Sequence, residues 1–239
     1  MTPQDPSGAS REAEGAHTWA ILVAAGSGSR LGSERPKAFA ALAGRPLLAE
    51  SLERLDNSPW VDAIVVAAPP EWEEPAILLA EELVASKVAA VVTGGSTRAD
   101  SVRNALVEVP QNALVVLVHD AARPLVDDGV IERLLVRLGE GVDGAIPVVP
   151  VADTIKRVAG GAVAETLDRE SLVTAQTPQA FVADRLRSAF TGEVGAATDC
   201  SALVERNGGR VGVVAGDPRL VKVTTAADLE LVERLLASR

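Results

Sequence analysis

Trp19-Ala20-Ile21-Leu22-Val23-Ala24-Ala25 runs directly into Gly26-Ser27-Gly28-Ser29-Arg30-Leu31-Gly32. The first seven residues carry no polar side chain, which is the pattern of a strand buried on both faces rather than one with a wet face. The glycine- and serine-rich turn that follows lets backbone N–H groups approach an anion closely. A buried strand ending in such a turn is the first unit of an open α/β sheet. The rest of the chain repeats the theme. Apolar, largely β-branched runs at 63–68, 88–92, 114–119, 144–149 and 210–216 are predicted strands, with 221–223 a short extra one. Helical patterns fall between them at about 46–56, 73–85, 98–108, 128–139, 182–190, 199–207 and 226–238. Alternation of this kind predicts an α/β fold with a doubly wound, mostly parallel, Rossmann-like sheet whose ligands lie at the carboxyl ends of the strands.

Two helix starts carry explicit signals. Thr97-x-x-Asp100 and Thr225-x-x-Asp228 match a capping box with Asp in the acidic place. The stretch 150–176 breaks the alternation and reads as two short β runs around Ala159-Gly160-Gly161, hence a protruding β-hairpin arm over about 150–172. Residues 1–17 are rich in Pro, Gly, Ser and charge and read as a disordered extension, leaving 18–239 as the folded domain.

Composition narrows the function classes. The 239 residues suffice for a full core, and 47% of them are hydrophobic while only 3% are aromatic, so Val, Leu, Ile and Ala must fill it. With 23 Lys+Arg against 33 Asp+Glu the net charge is −10, which argues against nucleic acid bound over a broad surface. Any anion site must be local. One cysteine, Cys200, excludes an internal disulfide framework, and the two histidines, His17 and His119, form no zinc pattern. No stretch approaches the roughly 20 apolar residues that span a bilayer. The first residues lack the apolar core of a secretory signal, so a soluble cytoplasmic protein is expected. The end at Arg239 leaves no expectation of a fused second enzyme.

The glycine turn fits neither of two common phosphate motifs. Leu31 occupies the third glycine's place of a dinucleotide fingerprint, and the Lys-Ser/Thr pair of a Walker loop is absent. Arg30, with Pro36-Lys37 following, places two cations near the turn, which suits a triphosphate; a solvated basic loop is the plain alternative. Val118-His119-Asp120-Ala121-Ala122-Arg123-Pro124 ends a buried run. Asp120 at a strand tip can hold Mg²⁺ through one or two oxygens or cap a turn, and the binding edge favours the metal. Arg123 has the reach for a second phosphate. His119 reads as a packed structural residue. In Gly94-Gly95-Ser96-Thr97-Arg98-Ala99-Asp100-Ser101 the double glycine permits close approach to a base or ribose, Asp100 reads as part of the helix cap, and Ser101 suits either role. Lys222 stands in an apolar β run where a lysine is costly unless paired with an anion, or serves as an edge-strand guard. Its place before a helix start favours a phosphate role.

Taken in order, AAGSGSRLGSERPK, GGSTRADSV, VHDAARP, PVxDTIKR, TLDR, QTPQAF, TDCSALVE and VKVTT resemble the 2-C-methyl-D-erythritol 4-phosphate cytidylyltransferase family over about residues 18–239. The resemblance implies a nucleotidyltransferase fold. It also implies transfer of CMP from CTP to 2-C-methyl-D-erythritol 4-phosphate with release of pyrophosphate, in the non-mevalonate route to isoprenoid precursors. Carried onto this sequence, it implies that Ala24, Ala25, Gly26, Gly95, Ser101, Asp120 and Ala121 contact the nucleotide. Arg30, Lys37 and Lys222 would be catalytic, Lys222 touching both nucleotide and substrate. Asp120 would bind Mg²⁺ or another divalent cation, and Arg123, Thr154, Arg169 and Thr198 would hold the polyol phosphate. A homodimer with exchanged arms is implied, Arg169 coming from the partner. Two positions depart from the family's pattern: Ser96 stands where Asp is frequent, and Cys200 where an acidic residue is frequent. A ribitol-5-phosphate cytidylyltransferase shares the loop, the aspartate and the lysines. Nucleotidyltransferases for sugar 1-phosphates or a molybdopterin cofactor are more distant rivals. A non-catalytic nucleotide-binding regulatory subunit is the alternative from a different class, and it has no need for Arg30, Lys37, Asp120 and Lys222 together.

Overall fold

The computed structural model describes residues 17–26, Gly28, Leu31, 35–194 and 197–238. Residues 1–16, on which the expected disordered extension falls, lie outside the described residues. His17, assigned above to that extension, belongs to the fold: its N–H donates to Asp62 Oδ2 at 2.9 Å, and its carbonyl accepts from Leu114 and Val115.

A single large sheet organises the molecule. β1 (Thr18–Val23) lies at its centre. A small hairpin, β2 (Ala41–Leu42) and β3 (Arg45–Pro46), leads into helix α1 (Leu47–Asn57) and strand β4 (Ala63–Ala68), which is parallel to β1. Helix α2 (Glu73–Glu82) then leads to the edge strand β5 (Val88–Thr93), parallel to β4. Helix α3 (Arg98–Leu106) carries the chain back across the other face to β6 (Val115–Asp120), which pairs in parallel with the free side of β1. The winding therefore reverses between β1 and β6. Beyond their carboxyl ends lies the crevice in which ligands of open α/β sheets bind.

Alternation along β1 produces the two layers. Ala20 and Leu22 point to a cluster with Leu48, Leu52 and Leu55 of α1 and Leu79 of α2, while Trp19 and Ile21 point to one with Val102 and Ala105 of α3. Side chains on successive residues face opposite ways, so an all-apolar strand needs a helical layer on each side. Helix α4 (Asp128–Gly139) joins the first layer through Val130, Ile131 and Leu134.

The second half departs from simple alternation. After β7 (Gly144–Pro150) the chain forms a separate antiparallel ribbon, β8 (Lys156–Ala159) and β9 (Ala162–Thr166), with every strand residue exposed. It returns through a short 3₁₀ turn (Arg169–Ser171) to β10 (Val173–Ala175) and β11 (Gln179–Val182). β11 inserts antiparallel between β6 and β7, and β10 pairs antiparallel with the far end of β7. Neither is marked in the sequence, because each is only a few residues long and they are separated by Gln176-Thr177-Pro178. Helices α5 (Ala183–Ala189) and α6 (Cys200–Arg206) fill the second layer, and β12 (Val211–Ala215) closes the sheet parallel to β7.

The run 221–223, expected as a strand, is not one. Val223 N–H bonds the Ala122 carbonyl at 2.8 Å, and Val223 packs with Leu42, Leu47, Leu125 and Val232. Its apolarity serves a satellite core under helix α7 (Ala226–Ala237) rather than a ladder. Both expected capping boxes are present, at Thr97/Asp100 and Thr225/Asp228. No helix among the described residues is long and apolar enough to cross a membrane.

Candidate active site

The register of the two central strands places the site. Val23 of β1 lies beside Asp120 of β6, so the Ala24-Ala25-Gly26 turn and the Asp120-Ala121-Ala122 segment leave the sheet side by side. A cleft of about 400 Å³ opens there, lined by both segments, by Gly95–Arg98 and Ser101 at the start of α3, and by Lys37, Lys222 and Thr224. Of the positions singled out in the sequence, Ala24, Ala25, Gly26, Lys37, Gly95, Ser101, Asp120, Ala121 and Lys222 meet at this cleft. Arg123, Thr154, Arg169 and Thr198 are not among its lining residues. Arg30 lies outside the described residues.

Glycine is needed where the loops touch one another. Gly28 has φ +67°, and a Cβ there would sit 2.5 Å from the Lys37 Cβ, so the loop and the lysine approach only without a side chain. A Cβ on Gly94 would meet the Ala25 Cβ at 2.2 Å. The first glycine loop and the double glycine thus form one packed wall. Ser101 braces it from behind: buried at 1% exposure, its hydroxyl donates to the Thr97 carbonyl and accepts the Gly95 N–H at 3.0 Å.

Electrostatics single out Asp120. Its Oδ1 accepts from Arg98 Nε at 2.8 Å and its Oδ2 from Lys222 Nζ at 2.6 Å. Burial works against its ionisation, but the two cations outweigh that and hold the carboxyl well below the usual carboxylate range. This answers the question posed by a lysine in an apolar run, since Lys222 has its anion in Asp120. Among the described residues three cations, Lys37, Arg98 and Lys222, line the cleft against one carboxylate. On a chain of net charge −10 this is a local anion site. The N-terminus of α3 adds its positive end.

Behind Asp120 runs a directed hydrogen-bond chain. The Arg123 carbonyl only accepts, so His119 Nε2, 3.1 Å away, carries the proton. Nδ1 is then the acceptor of the Thr177 hydroxyl at 3.2 Å, and the Thr177 oxygen in turn accepts the Asp120 N–H at 3.1 Å. His119 is wholly buried, and burial pushes its pKa down to about 4, so it is neutral at pH 7. The unfolded chain takes up this proton near pH 6.5 and the folded one only near 4, so stability falls as the pH drops through that window. Between pH 7 and 5 the loss is about 2 kcal/mol. Urea midpoints at the two pH values measure it, and a His119→Asn variant is expected to lose most of the dependence.

Arg123 is held by its own chain, Nη1 donating to the Leu220 carbonyl at 2.6 Å and Nη2 to that of Ala175 at 3.3 Å. Arg169 donates to the Ala152 carbonyl, bracing the base of the β8–β9 ribbon, and Thr154 beside it is exposed. Thr198 is exposed just before Asp199, which caps α6 through the Ala202 N–H at 3.0 Å. Arg98 is the residue that sequence reasoning passed over. It stands inside a quoted motif, and its one available signal is a cation at the first position of a capped helix, where the helix end disfavours it.

The family model for 2-C-methyl-D-erythritol 4-phosphate cytidylyltransferase (IspD) matches residues 18–238. A 2-C-methyl-D-erythritol 4-phosphate cytidylyltransferase from Nocardia farcinica is 46% identical over 221 residues, covering 92% of this chain and 94% of the relative. One from Saccharopolyspora erythraea is 46% identical over 222 residues, covering 91% and 98%. Among solved structures, the 2-C-methyl-D-erythritol 4-phosphate cytidylyltransferase from Thermus thermophilus superposes with a TM-score of 0.72 at 32% identity, over 91% of this chain and 98% of that one. With a family model spanning the described fold and relatives this similar over nearly their whole length, the chain belongs to the 2-C-methyl-D-erythritol 4-phosphate cytidylyltransferase family.

Proposed function

We propose that this chain transfers CMP from CTP to 2-C-methyl-D-erythritol 4-phosphate, giving 4-diphosphocytidyl-2-C-methyl-D-erythritol and pyrophosphate. In a cell it would act in the cytoplasm, on the non-mevalonate route to isoprenoid precursors. The observation that carries the reading is the Asp120-centred cluster of cations at the switch point of the sheet, in a chain of this family.

The chemistry asks little of the protein beyond placement and charge. The acceptor's phosphate oxygen is anionic at neutral pH and attacks the α-phosphorus in line. The new P–O bond forms as the bond to the β-phosphate oxygen breaks, and the electron pair leaves with pyrophosphate. No protein nucleophile and no general base are required. Negative charge grows on the non-bridging oxygens and on the leaving group, so fixed cations stabilise the transition state more than the ground state. Lys37 and Arg30 serve the phosphates, and Lys222 bridges nucleotide and acceptor. Ala24, Ala25, Gly26, Gly95, Ser101 and Ala121 form the nucleotide's wall. Arg123, Thr198 and a partner's Thr154 and Arg169 hold the acceptor, in a homodimer that exchanges ribbons. Support for the exchange comes from the full exposure of β8 and β9 and from the absence of Thr154 and Arg169 from the lining of their own cleft.

A divalent cation such as Mg²⁺ fits the donor set only together with the nucleotide. Among the described residues no group of three or more carboxylate, His or Cys side chains gathers to hold an ion, and Asp120 is the single carboxylate on the cleft. Mg²⁺ commonly takes one or two carboxylates and completes its shell with phosphate oxygens and water. Asp120 would hold it through a lone pair left free by Arg98 and Lys222. The ion would supply charge neutralisation on the triphosphate.

Pyrophosphate release with CTP and Mg²⁺, offering methylerythritol 4-phosphate and ribitol 5-phosphate in parallel, tests the acceptor. Clear preference for the methylerythritol phosphate is expected. Preference for ribitol 5-phosphate would overturn the acceptor while leaving the reaction type standing.

A further inference from the structure

Arg98 occupies a place where a cation is electrostatically disfavoured. It is the first residue of α3, where the helix's free N–H groups already create positive potential, and its side chain is only 20% exposed. Lys222 already supplies one positive charge to Asp120, and Arg98 adds a second. Nor is its hydrogen bonding complete: Nη2 is buried with no partner among the described residues. A buried guanidinium with an unmade bond is costly, so its retention points away from stability as its purpose.

Its contacts point to geometry. The terminal torsion of an aspartate is broad and roughly two-fold, so one bond from a lysine that is 44% exposed restrains the carboxylate less than bonds to both of its oxygens. Arg98 Nε holds the oxygen that Lys222 does not, at 2.8 Å. The same guanidinium donates from Nη1 to Cys200 Sγ at 3.3 Å, at the first residue of α6. Arg98 follows directly on Gly95-Ser96-Thr97 of the cleft wall, so it joins three parts of the site: the double-glycine loop, the tip of β6 and the Thr198–Cys200 turn.

We propose that Arg98 is a positioning residue, clamping the Asp120 carboxylate in one orientation between Lys222 and the start of α6. The proposal rests on the transferase reading above and deepens it. Arg98 lines the cleft, but on this proposal its effect on turnover runs through Asp120 rather than through the nucleotide.

The test compares Arg98→Met and Arg98→Lys with the unaltered protein, reading kcat and KM for CTP, the Kd of CTP by calorimetry without acceptor, and thermal unfolding. In Arg98→Met, kcat is expected to fall about 10- to 100-fold, as for loss of an outer partner that orients a metal-site ligand. KM and Kd for CTP are expected to stay within about twofold, the mark of an interaction felt only in the transition state. Arg98→Lys, which keeps the charge and one bond to Oδ1, is expected to recover most of the lost turnover. Unchanged kcat in Arg98→Met would overturn the clamp. So would a raised KM and Kd with kcat intact, which would make Arg98 a nucleotide contact, or a loss accounted for by the unfolded fraction alone. Absence of pyrophosphate release from the unaltered protein would instead refute the transferase reading, and the clamp with it.

Discussion

Replacing Lys37 with alanine is expected to lower kcat by about 100- to 1,000-fold, the range found when one fixed donor to a developing oxyanion is removed. The lysine lies in a 3₁₀ turn (Lys37–Phe39) whose Ala38 and Phe39 are buried, so the backbone that presents it is anchored independently of its side chain. Its ammonium lies near the start of α7, where Asp228 feels it: burial alone would raise the Asp228 pKa, but the Thr225 and Thr224 N–H groups and, more weakly, Lys37 lower it. The substitution also relieves no clash, since Gly28 packs against the Cβ that alanine keeps. Thermal unfolding should therefore shift little while turnover collapses. Steady-state kinetics beside a melting curve separate the two, and near-normal turnover in a folded Lys37→Ala protein would remove the anion site from the chemistry.

Asp120→Asn carries the second large effect, and it strikes stability and activity together. The carboxylate is 9% exposed and holds Arg98 and Lys222 by one oxygen each. The amide keeps one acceptor but turns an N–H₂ towards the other cation, leaving the buried guanidinium without its counter-charge. Breaking a buried pair in this way costs about 3–5 kcal/mol. Lys222 is half-exposed and regains water, so the lower end is expected. In the folded fraction, kcat should fall by at least about 100-fold, since the group that would carry the ion is lost and the cations lose their fixed partner. Chemical denaturation and single-turnover kinetics on the same preparation measure both. Stability unchanged from the unaltered protein would mean that the ion pair contributes nothing to the fold.

The sheet's first half was legible because its strands are long, buried on both faces and separated by periodic helices. β1, β4, β5 and β6 follow the apolar runs at 19–25, 63–68, 88–92 and 114–119 to within a residue or two. β10 and β11 were not legible. Their pairing is decided by what lies beside them, β6 and β7, and a four-residue run such as Gln179–Val182 has no periodicity to read. Val221 and Val223 misled in the opposite direction: apolarity marks burial, and only tertiary contact says whether the burial is in a ladder or under a helix. In the site, Asp120 and Lys222 were readable from local cost, a carboxylate at a strand tip and a lysine in an apolar run. That they meet each other at 2.6 Å was not, because 102 positions separate them. Arg98 was hidden by its company, since a cation after a capping threonine looks like ordinary helix surface until β6 is laid beside it.

On the proposed chemistry the cleft directs CTP onto an anionic phosphate rather than onto water. Phosphorus NMR of CTP, Mg²⁺ and methylerythritol 4-phosphate incubated with the protein tests it most directly. Two coupled resonances of a new diphosphate ester are expected to grow in step with inorganic pyrophosphate as both substrates fade. Accumulation of CMP with the methylerythritol phosphate left intact, or an unchanged CTP spectrum, would contradict it.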